Sequence, residues 1–332
     1  MNKIFAFSLL AISLTAISSN AQEIKHRPLI EEYTGLWCQW CPRGHVAMEM
    51  IEEQYGDDQV SISYHVDDAM AVATRFPISV TGVPVATVDR EKKIDPYYGE
   101  TEREDFAISR NIDAAMAKPA EASIEVSAII TGSKVQAYTK VEFAEDADGK
   151  NYQIGYVLTC SGLTHTSWRQ MNEYSSYRDK ETFKGTPLEP LTQESVYIRG
   201  MVFDNVAVDA SGTLGVLNSL PAKIDAGEEY EHSYSFNIAG NSLVQDQMRL
   251  KVVAFIIDKQ TGEIVNANKY SFYKEPDQEE ETAVDAVMAD KEPVSKEYFD
   301  LTGTPVTHPS GGIYICRTTF ADGTVKTTKE AR

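Results

Sequence analysis

The sequence predicts an α/β layer domain, then an antiparallel β-sandwich, then a short β-rich C-terminal region. Three observations carry this reading. Residues 22–118 alternate strand-like and helix-like runs, the order expected of strands covered by helices. Residues 119–275 hold β-rich runs separated by Gly/Asp turns. Residues 276–296 are acidic and contain proline, which reads as a linker, and 297–332 give two or three short strands.

The elements follow in order. Pro28–Tyr33 is a short extended candidate. Pro42–Tyr55 reads as a helix, because Val46, Met50 and Ile51 fall close to helical spacing and Gly56 ends it. Val60–Val66 alternates like a strand, and Asp67–Phe76 is a short helix candidate. Gly82–Asp89 is a strand with a proline at its entrance. Thr101–Ala117 is a helix candidate carrying Phe106, Ile112, Ala115 and Met116. Beyond Lys118-Pro119, residues 122–130, 134–143 and 152–160 read as strands. Residues 161–245 are loop-rich with weak periodicity. Residues 248–273 form a hairpin pattern turning at Lys259–Gly262, and Asp322-Gly323 marks another hairpin turn.

The first residues predict export. Lys3 gives a positive start, Ile4–Leu14 is mostly apolar, and Ser19-Asn20-Ala21 ends in a small-x-small cleavage pattern, so 1–21 reads as a signal peptide. The apolar run is too short for a stable transmembrane span. The whole chain carries a net charge of −19, which disfavours nucleic acid and anionic lipid as partners. No phosphate loop, no Ser/His/Asp arrangement and no basic patch is recognisable, and no cofactor is called for.

The chain has 4 cysteines, too few for a disulfide-built scaffold of this length. Cys38 and Cys41 form a Cys-x-x-Cys in "GLWCQWCPRG", at a strand-to-helix junction. A thiol at a helix start lies near unpaired backbone N–H groups, and the helix dipole favours its thiolate. Cys38 is then the attacking thiol. Cys41, one turn inside, is placed to resolve a mixed disulfide. Pro42 suits a first helical turn, where its missing N–H has no partner to lose. Glu32 ends the preceding strand. It is either a semi-buried carboxylate able to relay the proton of the resolving thiol, or an exposed strand-end acid. A cis Pro84 would turn the Val83 backbone toward the cysteines, where an extended substrate could pair with it.

Together these residues resemble the thioredoxin family. "EYTGLWCQWC" is similar to that family's acid-to-cysteine stretch, with Glu32 at the place of the buried acid and Trp37 at the place of the tryptophan before the first cysteine. "GVP" matches the cis-proline loop. The resemblance covers residues 24–118 and implies a thioredoxin-like fold there. Gln39-Trp40 replaces the Gly-Pro of reducing thioredoxins, which leaves the direction of electron flow open. The whole mature chain resembles a narrower set, the 28-kilodalton outer-membrane-protein-related family of Gram-negative envelope proteins, through "TGLWCQWCPRG", "YHVDD" and "VVAFIIDKQTGEIVNA". That resemblance implies a thioredoxin-like domain fused to a β domain. The tail "EYFDLTGTPV…GGIYICRTTFADGTVKTTK" is similar to a short type IX secretion C-terminal region.

Rival readings of the pair are weaker. Cys38, Cys41, His45 and His65 could make a Cys₂His₂ set, but structural zinc sites usually show short paired spacings at both ends, so no metal is expected. His45 reads as a helix-face residue near the thiols and His65 as a polar strand-end residue. A purely structural disulfide would close a tiny loop worth under about 3 kcal/mol. Trp37 and Trp40 fit an apolar rim for substrate, with core packing the alternative, favoured more for Trp37. Cys160 and Cys316 read as buried small apolar residues. The run 164–178, "THTSWRQMNEYSSYR", is a hydrogen-bonded loop or a ligand surface.

The expected function is an exported thiol–disulfide oxidoreductase acting on envelope or secreted polypeptides that bear thiols or disulfides. An envelope electron donor or secretion machinery would be its further partners. The alternative is a non-catalytic, outer-membrane-associated binding or structural protein on a thioredoxin-like scaffold. The expected location is the periplasm or outer membrane, and the tail's resemblance adds the cell surface.

Overall fold

A computed structural model describes residues 24–273, 293–299, 305–307, 313–320 and 325–331. The expected signal peptide, most of the acidic linker and the Asp322-Gly323 turn lie outside these residues. The chain is mostly sheet with few helices and divides into two compact units, Met1–Tyr273 and Lys274–Arg332.

In the first unit, strand β1 (Leu29–Thr34) leads into helix α1 (Pro42–Tyr55), then strand β2 (Val60–His65), strand β3 (Val85–Val88) and helix α2 (Ile108–Met116). β1 pairs parallel with β2 and antiparallel with β3. α1 starts with Pro42 in its first turn and stops where Gly56 turns to φ 51. β1 is buried along its whole length, so its side chains alternate between two covered faces. Ile30 joins Met48, Ile51, Ile108 and Ile112 on the helix side, and Leu29 and Tyr33 pack on the other side with Ile62 and Tyr64.

Two expected helices are corrected. Asp67–Phe76 forms turns and irregular chain instead of a helix. Asp67 sits at φ 52, and the Asp68 carboxylate accepts from Met70 N and Leu36 N, a local bonding pattern that competes with a helix. The apolar residues there still pack, with Phe76 edge-on to Tyr33. The helix expected from Thr101 starts only at Ile108, because Phe106 adopts φ 51.

After α2 come strands β4 (Ala122–Thr131), β5 (Lys134–Phe143), β6 (Ala147–Asp148), β7 (Tyr152–Cys160), β8 (Arg169–Met171), the short helix α3 (Glu189–Gln193) and strand β9 (Tyr197–Arg199). Strands β10 (Val206–Gly212), β11 (Lys223–Ile224), β12 (Glu229–Asn237), β13 (Leu250–Asp258) and β14 (Ile264–Ser271) complete the unit. The hairpin turning at Lys259–Gly262 is present as β13–β14. A three-stranded sheet, β12-β5-β4, packs over a seven-stranded sheet of order β14-β13-β7-β10-β2-β1-β3. A change of character at residue 118 therefore does not divide this sheet. β10 lies parallel to β2 through Val206 and Ser63, with Ser63 N donating to Asn205 O at 2.8 Å. The region read as loop-rich supplies that joining strand and also β12, which pairs with β5 along its whole length.

In the second unit, strands β15 (Pro293–Phe299), β16 (Pro305–Val306), β17 (Ile313–Phe320) and β18 (Val325–Ala331) form one sheet of order β16-β15-β17-β18. Four strands stand where two or three were expected, and β15 takes up the last residues assigned to the linker. Cys160 and Cys316 are buried free thiols.

One buried ion pair ties the first sheet to its covering loops. Glu31 accepts from Arg90 Nε at 2.7 Å and Nη2 at 2.8 Å, and Arg90 also donates to Thr213 O at 3.1 Å. Removing one partner strands a buried charge. Arg90→Met is therefore expected to lower stability by about 3–5 kcal/mol in urea unfolding. A loss under 1 kcal/mol, by the same measurement, would mean that Glu31 is satisfied without it.

Candidate active site around Cys38 and Cys41

The turn from β1 to α1 carries the site. Cys38 and Cys41 are joined by a disulfide with Cα atoms 5.4 Å apart. Both are buried, at 5% and 1% exposure. Cys41 precedes the first residue of α1, and its carbonyl accepts from Gly44 N and His45 N. The Val83-Pro84 peptide is cis, and Val83 O lies 3.4 Å from Cys38 Sγ. The structure therefore brings Cys38, Cys41, Val83 and Pro84 to one place.

Glu32 lies beneath the pair. Of its two readings the buried one holds, at 2% exposure. Glu32 leaves β1 on the side of α1 and faces Ser63 across the parallel pair, whose Oγ donates to Glu32 Oε2 at 3.2 Å. Oε1 has no hydrogen-bond partner. It rests against α1 at Gly44, where an added Cβ would come within 2.0 Å of it. Glu32 and Cys41 share a small cavity of about 10 Å³, room for roughly one water molecule. Burial pushes the Glu32 carboxyl up to about 7, opposed by the nearby His45 and the Ser63 hydrogen bond, and assisted by the Asp95 charge.

The two tryptophans part company. Trp37 is 48% exposed, and its Nε1 donates to Val66 O at 2.7 Å. Trp40 packs edge-on to Tyr174 at 5.5 Å, with the Arg43 guanidinium 5.9 Å from its ring. Packing thus claims Trp40 more than Trp37, the reverse of the expectation. Arg43 is held by Asp95 through Nε at 2.9 Å and Nη2 at 2.6 Å. A groove of about 730 Å³ opens beside Trp40, walled by Tyr98, Tyr174, Tyr177 and Phe183.

Sequence reasoning missed the largest support of the site. The run 164–178 grips the cysteine turn. Gln170 is buried, and its Nε2 donates to Cys38 O at 2.8 Å and Gly35 O at 3.3 Å. Met171 N donates to Leu36 O at 2.8 Å, and Glu173 N to Gln39 O at 3.0 Å. Nothing in the local sequence marks this, because the partners are backbone carbonyls 132 or more residues away. His45 and His65 each have other engagements: His45 Nε2 lies 3.2 Å from Glu49 Oε1, and His65 Nδ1 lies 2.7 Å from Asp68 Oδ2. Among the described residues no group of three or more His, Cys, Asp or Glu is gathered as metal ligands.

The titration of Glu32 has a consequence for folding. Between pH 4.5 and about 7 the native state keeps a proton that the unfolded chain has released. The contribution of Glu32 to stability is thus complete at low pH and is lost as pH rises through about 7. Glu32→Gln removes that slope. Measured on the disulfide form, its stability relative to the parent is expected to improve by about 3 kcal/mol between pH 4 and pH 8. A difference that does not vary with pH contradicts the assignment.

No protein-family model matches the chain, and no curated protein matches it. Solved structures do. HBP35 of Porphyromonas gingivalis is 17% identical, with a TM-score of 0.50, covering 92% of this chain and 98% of that one. A structural-genomics protein from Agrobacterium tumefaciens is 14% identical, with a TM-score of 0.40, covering 78% of this chain and 100% of that one. A domain of the outer membrane lipoprotein Omp28 from Porphyromonas gingivalis is 14% identical, with a TM-score of 0.23, covering 46% of this chain and 88% of that one. The first of these shares the overall fold; the other two superpose too loosely to carry an argument.

Proposed function

We propose that the protein is an exported thiol–disulfide oxidoreductase, built on a thioredoxin-like scaffold, that acts on envelope or secreted polypeptides. The observation that carries this is a Cys-x-x-Cys at a helix start, with the carbonyl of a cis Val-Pro beside the first sulfur and a buried, half-satisfied carboxylate sharing a cavity with the second cysteine. Cys160 and Cys316 are each buried without a thiol partner, so the exchange chemistry falls to Cys38 and Cys41. The signal peptide read at 1–21 supports delivery into the envelope.

In the reducing direction the Cys38 thiolate attacks one sulfur of a substrate disulfide. A Cys38–substrate bond forms, the substrate S–S bond breaks, and one substrate thiolate leaves with the electron pair. Cys41 then gives its proton to Glu32, and its sulfur attacks Cys38 Sγ. The Cys38–Cys41 bond forms, and the second substrate thiolate leaves. The substrate gains two electrons and the pair loses two. Oxidation of a dithiol runs the same steps backwards. Val83 offers its backbone to an extended substrate, and Trp37, exposed beside Cys38, offers an apolar face.

Insulin reduction and refolding of scrambled ribonuclease test the reading. The mature protein is expected to accelerate one or both, and Cys38→Ser to abolish the effect. Equal, negligible turnover by both proteins would leave the chain a non-catalytic envelope binding protein.

A further inference from the structure

The cavity beneath the cysteines closes over an acid that has to exchange its proton once per cycle. Besides Glu32 and Cys41, its titratable walls are His45, His65 and Asp204. His65 is sealed in, its side chain only 1% exposed and its Nδ1 bonded to Asp68. Asp204 reaches the surface, but its carboxylate holds the Gly162 N–H at 2.7 Å. The remaining charge felt by Glu32, Asp95 on the loop after β3, is locked to Arg43. His45 differs from all of these. It sits one helical turn after Cys41, lines the cavity, and meets the Glu49 carboxylate through Nε2 at 3.2 Å. Its side chain is 21% exposed and that of Glu49 is 61% exposed.

We propose that His45 carries protons between Glu32 and solvent, with Glu49 as its outer partner. The inference rests on the reading of Cys38 and Cys41 as an exchange pair. When Cys41 resolves a mixed disulfide, its thiol proton moves to the Glu32 carboxylate, its sulfur bonds to Cys38 Sγ, and the substrate thiolate leaves with the electrons. Glu32 is then a neutral acid with almost no exposure of its own. His45 accepts that proton through the one water for which the cavity has room, on the ring nitrogen that does not face Glu49, while Nε2 passes its own to Glu49, which returns it to water. An imidazole suits the task because it accepts on one nitrogen and donates from the other. Glu49 stays ionised as the outer partner: its hydrogen bond with His45 holds its carboxyl below the usual range, so a proton that reaches it passes on to water and is not kept.

The test is steady-state turnover of a small disulfide substrate by the mature protein in weakly buffered solution, with and without added imidazole. His45→Gln is expected to slow turnover by at least about tenfold, with the rate partly restored by imidazole. Glu49→Gln, at the surface and safe for folding, is expected to show a smaller loss with the same rescue, while the parent does not respond. Two results would overturn the proposal: both variants turning over at the parental rate, or a loss confined to Asp204→Asn. An active parent with unaffected variants removes this inference alone. An inactive parent whose Cys38 and Cys41 do not exchange removes the oxidoreductase reading, and this one with it.

Discussion

Strand β1 is buried on both faces, yet it carries two adjacent carboxylates. A strand sends neighbouring side chains to opposite faces, so Glu31 and Glu32 enter different surroundings. Glu31 meets a guanidinium in a two-pronged contact, and its charge is answered. Glu32 meets one hydroxyl and the bare backbone of Gly44. One carboxylate is therefore paired with a guanidinium and anchors covering loops, and burial pushes the other up to about 7. The same strand ends in the cysteine turn, so the acid's position under Cys41 follows from strand geometry and from a glycine on the facing helix.

The β-rich part of the first unit is no separate appendage to this site. It extends the central sheet through β10, covers it with β12-β5-β4, and sends the run 164–178 back to the cysteine turn. Four carbonyls of that turn, from Gly35, Leu36, Cys38 and Gln39, accept bonds from Gln170, Met171 and Glu173. A turn pinned at so many points gives the two sulfurs little freedom. It also places Tyr174, Tyr177 and Phe183 beside Trp40, so the groove next to the pair is built from both halves of the unit.

Much of this was legible beforehand. Spacing around Pro42 and Gly56 located α1, and the cysteine pair, Glu32 and Val83-Pro84 could be placed together because each sits at the end of a regular element. What could not be read depends on distant partners. β10 joins the sheet by a single residue pair with β2 and is interrupted by two register shifts along β7, so it has no clean period. Gln170 acts through an amide on carbonyls, which any sequence offers. The short helix expected at Asp67–Phe76 gives way because Asp68 side-chain bonds decide the local shape. Trp40 looked like a rim residue only because the rings that hold it come from residues 174 and 177.

Equilibrium redox titration of Cys38 and Cys41, read by thiol alkylation and mass spectrometry at several pH values, asks most directly whether this is a working pair coupled to Glu32. One reversible two-electron transition is expected, with a midpoint that falls as pH rises because two thiol protons are taken up, along a line that bends near neutrality; Glu32→Gln removes the bend and leaves the underlying slope. A pair that is reduced only as the protein unfolds, at every pH, would show instead that the disulfide is structural and that Glu32 serves no exchange chemistry.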